Sequence, residues 1–226
     1  MIKIENIDVW GFEHAVRGCR NPMNSWAKSD SYQSDFTDDG KNGFVIGKND
    51  LDLMRRLYKS GTEHRTYARM IQVSMDITAP LYWWKEMDRY TVGKSQVSCS
   101  TMHKIASKEF ELDDFSVEHL LDESIELFNV NIDELNSWRN KYIIASKIDD
   151  IVGADLLPSK KTLWWQMIQL LPSSYNQKRT ICMSYEVVFK IIKERTGHKL
   201  DEWNEFVDEL KDLPYVKEIM GEKDGK

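Results

Sequence analysis

The sequence predicts an α+β domain, helix-rich, with a small mixed or antiparallel sheet. Three observations carry that prediction. Ile71, Val73, Met75 and Ile77 alternate with Gln72, Ser74, Asp76 and Thr78, the period of a strand with one buried face. Ile2, Ile4, Ile7 and Val9 give a looser strand pattern at the N-terminus. From Val117 onward the apolar residues recur at helical spacing. Strands early and helices late favour α+β over a doubly wound parallel sheet.

Taken in order, the first strand is broken at Gly11, and Glu13 to Cys19 reads as one or two helical turns. Arg17 and Arg20 lie three apart there and share a face. Asn21 to Asn49 is rich in Ser, Asp, Asn and Gly and reads as a long loop. Asp50 starts a helix with Leu51, Met54, Leu57 and Tyr58 on its apolar face and Gly61 as its stop. The strand around Val73 ends at Ala79-Pro80, and proline suits the first turn of the helix that follows. Leu81, Tyr82, Trp83, Trp84 and Met87 make that helix mostly apolar. A Ser- and Thr-rich segment runs from Thr91 to His103. A buried strand feeding a buried helix that ends in charged and hydroxyl groups is either a core unit with a solvated end or a rigid holder for a polar site.

Val117, Leu120, Leu121, Ile125 and Phe128 mark a further helix, and Asn131 with Glu134 reads as a capping box opening the next. Asp149 to Lys161 is a polar connection. Leu163 to Leu171 is a helix stopped by Pro172, and Ser173 to Asn176 a turn. Ile181, Tyr185, Val188 and Ile192 are spaced for a helix ending at Arg195. Asp201 caps a last helix through Trp203, Val207 and Leu210.

The length of 226 residues fits one domain, 1–226. Hydrophobic residues make up 41% and charged residues 30%, an ordinary soluble balance. A net charge of −6 without a block of like charge disfavours a nucleic-acid-coating role. Cys19, Cys99 and Cys182 are too few and too dispersed for a disulfide framework or a zinc site, and fit a reducing compartment. The N-terminus does not read as a signal peptide, and no apolar run approaches a membrane span. These features point to a soluble cytoplasmic protein. Eight tryptophans imply large flat surfaces, in the core or against planar ligands. No dinucleotide fingerprint, P-loop or G-x-S-x-G is present. His64, His103 and His198 read as surface or hydrogen-bonded side chains, and Met70, Met75 and Met87 as core filling.

Ala79-Pro80, an aromatic-rich helix, Lys85-Glu86 and then Arg89-Tyr90-Thr91 follow one another at fixed distances. In order and spacing they resemble the flavin-dependent thymidylate synthases. In that family Ala-Pro precedes an aromatic helix carrying Arg-Gln, then Arg-His-Arg and, seven residues on, a Ser. His64, Thr66 and Arg69 fall before the strand where the family approaches the flavin. Leu171-Pro172 matches a Leu-Pro, and counting onward gives Ser184, Glu186 and Arg195 at the later Asn-x-Arg and Arg. Val16 to Arg20 is similar to an Ala-Ala-Arg-Val-Ser segment. The stretches RNPMNSW, ITAPLYWWK and LPSSYNQ look like a divergent bacterial and phage branch.

The resemblance implies the family fold, FAD as cofactor, and NADPH and methylenetetrahydrofolate as co-substrates. It implies transfer of a one-carbon unit to C5 of a pyrimidine deoxynucleotide, dUMP to dTMP by default, in a homotetramer with sites between subunits. It assigns His64, Thr66, Arg69, Arg89, Tyr90, Val92, Ser184 and Glu186 to the flavin. Lys85, Glu86, Ser98, Ser100, Lys190 and Arg195 fall to the substrate, and Glu86, Cys99 and Ser100 to catalysis. The departures are specific. Tyr90 and Thr91 replace His-Arg, Glu86 replaces Gln, and Cys99 stands at the Ser between Ser98 and Ser100. Thr101-Met102-His103 lacks the Arg that grips the nucleotide phosphate. These bear on nucleotide affinity and methyl-donor use, not on the fold. An ionised Glu86 only accepts hydrogen bonds and would favour an amino group, as on cytosine. Cys99 reads either as a nucleophile toward the pyrimidine or as a small buried hydrophobe. The alternative function is a relative without this catalysis that binds a nucleotide, nucleic acid or protein partner.

Overall fold

The computed structural model of the chain describes residues 2–34, 43–148 and 158–221. Strand β1 is Lys3–Trp10 and helix α1 is Phe12–Arg20. Between them Gly11 adopts a left-handed φ of 96°, and a Cβ there would lie 2.2 Å from the Met70 carbonyl oxygen, so only glycine fits. β2 (Tyr32–Ser34) and β3 (Gly43–Val45) form an antiparallel pair, with Gln33 opposite Phe44. They follow two short 3₁₀ turns inside the stretch expected as loop. Residues 35–42 of that stretch lie outside the described residues, as do 149–157 of the expected connection Asp149 to Lys161.

α2 spans Lys48–Lys59, starting two residues before Asp50, and stops at Ser60 before Gly61 in the left-handed region. β4 (Gln72–Pro80) and α3 (Leu81–Met87) confirm the strand and helix expected on either side of Ala79-Pro80. β5 (Lys94–Ser98) and the one-turn α4 (Thr101–Lys104) occupy the Ser- and Thr-rich segment. α5 is a continuous helix of 27 residues, Asp122–Ile148. The Asn131–Glu134 pair is therefore interior to it, and two expected helices are one. α6 is Lys160–Leu170, with Ser159 accepting from the Thr162 N–H as its N-cap.

β6 covers Asn176–Ser184, where the spacing of Ile181 and Tyr185 predicts a helix. The helix, α7, begins only at Tyr185 and ends at Arg195. α8 (Asp201–Lys211) is followed by a short α9, Val216–Met220, so it is not the last. Apart from the β2–β3 pair, the described strands form a four-stranded sheet in the order β1-β4-β6-β5. Among the described residues no helix is long and apolar enough to cross a membrane.

The chain divides into two compact units. The first comprises Met1–Lys3, Thr78–Met87 and Val97–Arg179. Its core gathers Ile105, Phe110, Phe115, Ile132, Leu135 and Met167, flanked by Phe128, Trp138, Trp164 and Tyr175. Trp83 and Trp84 of α3 are fully buried, worth roughly 4–6 kcal/mol each from apolar area alone. The second unit comprises Ile4–Ile77, Asp88–Gln96 and Thr180–Lys226. There the inward face of β4 (Val73, Met75, Ile77) is buried together with Val188, Phe189, Trp203 and Phe206 of α7 and α8. Met75 and Met87 are core filling as expected, but Met70 is 50% exposed, because it precedes the alternating strand.

The second unit also holds a buried ion pair. Arg20 Nε donates to Asp50 Oδ1 at 2.7 Å, and the two residues are 6% and 1% exposed. Asp50 Oδ2 accepts from the Ser29 and Ser31 hydroxyls and from the N–H groups of Asp30 and Ser31. Burial alone would raise the Asp50 pKa, but these hydrogen bonds and the Arg20 charge hold it below the ordinary carboxylate value. The Asp30 carboxylate accepts from the N–H groups of Asn49 and Asp50 in the first turn of α2, where a negative charge is favoured.

Candidate functional site

In the first unit the segment after β5 is pinned against the start of β6. The Cys99 N–H donates to the Lys178 carbonyl at 2.9 Å. The Gln177 amide donates to the Cys99 carbonyl at 3.0 Å and to the Thr101 hydroxyl at 2.9 Å. Its oxygen accepts from Arg179 Nε at 2.9 Å. The Arg179 guanidinium lies 4.2 Å from the centre of the Trp84 ring, and Trp84 Nε1 donates to the Gln177 carbonyl. Ser100 is the N-cap of α4 and accepts from the His103 N–H at 3.4 Å.

Beside this network is a cavity of about 390 Å³. Ser98, Ser100, Thr101, Gln177 and Arg179 give it polar walls, and Ile168 and Leu171 an apolar one. Hydroxyls, an amide and a guanidinium on an apolar backing make a site able to bind a polar anion.

In the second unit the residues after α3 meet α7. The Tyr90 hydroxyl donates to Glu194 Oε2 and accepts from Arg195 Nε, both at 3.0 Å. Arg195 lies 4.4 Å from the Trp203 ring centre and contacts His198 Nε2 at 3.1 Å. Lys190 Nζ is 5.6 Å above the Tyr90 ring. Burial pushes the Tyr90 phenol above its usual value, against the hydrogen bond from Arg195. Glu186 receives both Nε and Nη2 of Arg65, at 2.8 and 3.0 Å, while the Arg65 guanidinium sits over Tyr58. The buried Ser184 donates its N–H to the Gly93 carbonyl at 3.0 Å. Gly93 has φ 78°, and a Cβ would press Ser184 Oγ and Val187 at 3.1 Å.

Two segments distant in sequence thus meet in each unit: 97–101 with 177–179 in the first, and 90–93 with 184–195 in the second. The residues assigned to the flavin all fall in the second unit, and Lys85, Glu86, Ser98, Cys99 and Ser100 in the first. His64, Thr66, Arg69, Arg89, Val92 and Lys190 are exposed, as are Lys85, Ser98 and Cys99, while Glu86 and Ser100 are half-buried. Tyr90 and Ser184 are buried. Cys99 carries a free, exposed thiol. This removes the buried-hydrophobe reading: Cys99 follows β5, whose last four residues are exposed.

The residues reasoning from sequence missed are Gln177, Arg179 and Arg65. The first two share a face of β6 with Ile181 and Met183, a period-two signal masked by their polarity. The donors present suit a dinucleotide cofactor in part. Arg69, Arg89 and Lys190 are exposed cations able to take a pyrophosphate. Tyr90 and Glu186, by contrast, already have protein partners.

No family model and no curated protein sequence matches the chain. Among solved structures, thymidylate synthase X from Helicobacter pylori, with FAD and dUMP, is similar at a TM-score of 0.64 and 15% identity, over 98% of each chain. A second structure of the flavin-dependent enzyme from that organism, complexed with FAD and dUMP, gives 0.63 at 16% identity, over 97% of this chain and 98% of that one. The UMP/dUMP methylase PolB from Streptomyces cacaoi, bound with 5-Br dUMP, gives 0.58 at 13% identity, over 98% and 95%. The chain has the fold of these proteins, helix-rich α+β, along almost its entire length.

Proposed function

We propose that the chain transfers a one-carbon unit from methylenetetrahydrofolate to C5 of a pyrimidine deoxynucleotide, with dUMP to dTMP as the default reaction. The observation that carries this reading is the cavity at Ser98 and Ser100, in a chain whose fold matches nucleotide-bound enzymes end to end. Bound reduced flavin would supply electrons to the transferred carbon, with NADPH as their source.

The chain's own residues bind and orient. Arg69, Arg89 and Lys190, together with His64 and Thr66, hold the pyrophosphate and ribityl parts of FAD. Tyr90 with Glu194 fixes Arg195, and Glu186 fixes Arg65, so these carboxylates act by positioning cations. Ser98 and Ser100 donate to the nucleotide, and Lys85 adds charge nearby. Glu86 accepts a hydrogen bond from the base, and an amino-bearing base suits a carboxylate better than uracil. Titration with dUMP and dCMP, in wild type and Glu86→Gln, checks this preference. An unchanged ratio removes it.

Residues 1–226 act as one functional domain in the cytoplasm, where Cys19, Cys99 and Cys182 stay reduced. Leu127 and Val130 on α5, and Leu121 just before it, are large exposed apolar side chains, which supports assembly into a homotetramer. Light scattering of the purified protein checks that.

A purified protein with the absorbance of oxidised flavin, reduced by NADPH and reoxidised only with nucleotide and folate together, is the expected result. One observation favours a second reading. Tyr90 and Ser184, expected at the flavin, are buried in the chain's own contacts. That suits a relative that binds a nucleotide without thymidylate synthesis. A colourless protein that FAD does not reconstitute, yet that binds nucleotide, selects it.

A further inference from the structure

We propose that a groove beside α1, centred on Arg17, is a separate nucleotide site, with the phosphate on Arg17 and the base against Trp26 and Tyr32. The groove lies in the second unit. It shares no lining residue with the Ser98–Ser100 cavity and does not rest on the reading of that cavity. Two adjoining cavities of about 340 and 400 Å³ form it, with Val16, Arg17 and Ser29 common to both. Trp26 lines the first, and Tyr32 and Phe44 line the second. Each volume suits a small ligand.

The cation is uncommitted. Arg17 is exposed on α1, whose apolar residues Phe12, Ala15, Val16 and Cys19 are buried. It ends in no hydrogen bond or ion pair among the described residues, although Glu13 stands one turn before it. A guanidinium is a planar fork of donors that matches phosphate oxygens.

The walls are preset. Trp26 Nε1 donates to Asn21 Oδ1 at 2.8 Å, and the Ser29 N–H donates to the Trp26 carbonyl at 3.0 Å. Asp50 then takes the Ser29 and Ser31 hydroxyls and the N–H groups of Asp30 and Ser31. The segment between Trp26 and Tyr32 is thus tied to a buried carboxylate, while the two rings stay 50% and 59% exposed. Exposed rings on an ordered segment beside a spare cation suit a flat base joined to a phosphate, and ordered walls lose little freedom on binding. Glu13 and Gln33, lining the second cavity, can accept from sugar hydroxyls.

The test is calorimetric titration of the full chain with AMP, adenosine and inorganic phosphate. In wild type, AMP binds more tightly than adenosine, and phosphate competes with AMP. Arg17→Gln is expected to weaken AMP roughly 10- to 100-fold, the effect of losing a charged hydrogen bond, and to leave adenosine unchanged. Trp26→Ala should weaken both ligands about 5- to 100-fold, and Trp26→Phe should restore them. AMP that does not bind wild type, or that binds Arg17→Gln equally well, overturns the inference. So does an Arg17→Gln that weakens AMP and adenosine alike. If Trp26→Ala fails to fold, Tyr32→Ala puts the same question to the other wall, and unchanged AMP binding there overturns the inference. AMP stands for a free mononucleotide or for the adenylate end of a dinucleotide. Displacement of AMP by NADPH in wild type assigns the second source, and its absence the first.

Discussion

Arg20 and Arg179 are the same residue in opposite settings. Arg20, in the second unit, is 6% exposed and ends on Asp50, a carboxylate that four further donors saturate. Arg179, in the first unit, is held by an amide oxygen and an indole face, and lines a cavity. One guanidinium closes a structure and the other borders an open space. Charge alone does not tell the two arginines apart; the setting of each guanidinium does.

The largest expected effect follows from breaking the closed pair. Asp50→Ala leaves Arg20 buried without its carboxylate and should cost roughly 3–5 kcal/mol, read from the urea midpoint. A loss below ~1 kcal/mol would erase the contrast. Acid should remove part of the same stability. The folded Asp50 pKa lies below its ordinary 3.8, so its contribution is present above that value. It is lost as pH falls through the lower folded value. Thermal melts from pH 6 downward check the sign, and Asp50→Ala should flatten the acid limb.

Gln177→Leu is expected to cost only about 1 kcal/mol, since water can replace its amide at the cavity edge. A loss as large as that of Asp50→Ala would make Arg179 a structural residue too. The smallest perturbation is chemical labelling. Burial first, then the Asp50 charge, push the Cys19 thiol up to about 12, against Arg20. Cys99 is exposed, so iodoacetamide at pH 8 should modify Cys99 first and reach Cys19 only on unfolding. Peptide mapping reads the order.

Much of the fold was legible because period and punctuation agree. The alternation through Ile77, the stop at Ala79-Pro80 and the helix of Trp83 and Trp84 all point one way. β6 was not legible. Asn176 to Thr180 is polar, and Ile181 to Tyr185 joins strand to helix with a four-residue step that imitates helical spacing. The Asn131–Glu134 pair misled because it lies inside one continuous helix, anchored there by the buried Ile132 and Leu135. Of the residues the resemblance assigns, Ser98 and Ser100 line a cavity. The resemblance could not find Arg179, whose contact with Trp84 spans two elements far apart in sequence. Nor could it reveal that Glu186 is engaged by Arg65, since pairing is a property of geometry rather than of residue type.

Gln177 has a polarity its contacts leave no freedom to reverse: oxygen toward a guanidinium, nitrogen toward a carbonyl and a hydroxyl. Swapping that nitrogen for oxygen, as deamidation does, would set oxygen against the Cys99 carbonyl, oblige the Thr101 hydroxyl to donate instead of accept, and place a negative charge beside Arg179. The electrical character of the pocket therefore depends on a neutral neighbour, and a change of one atom there could retune its ligand while every charged residue stays in place.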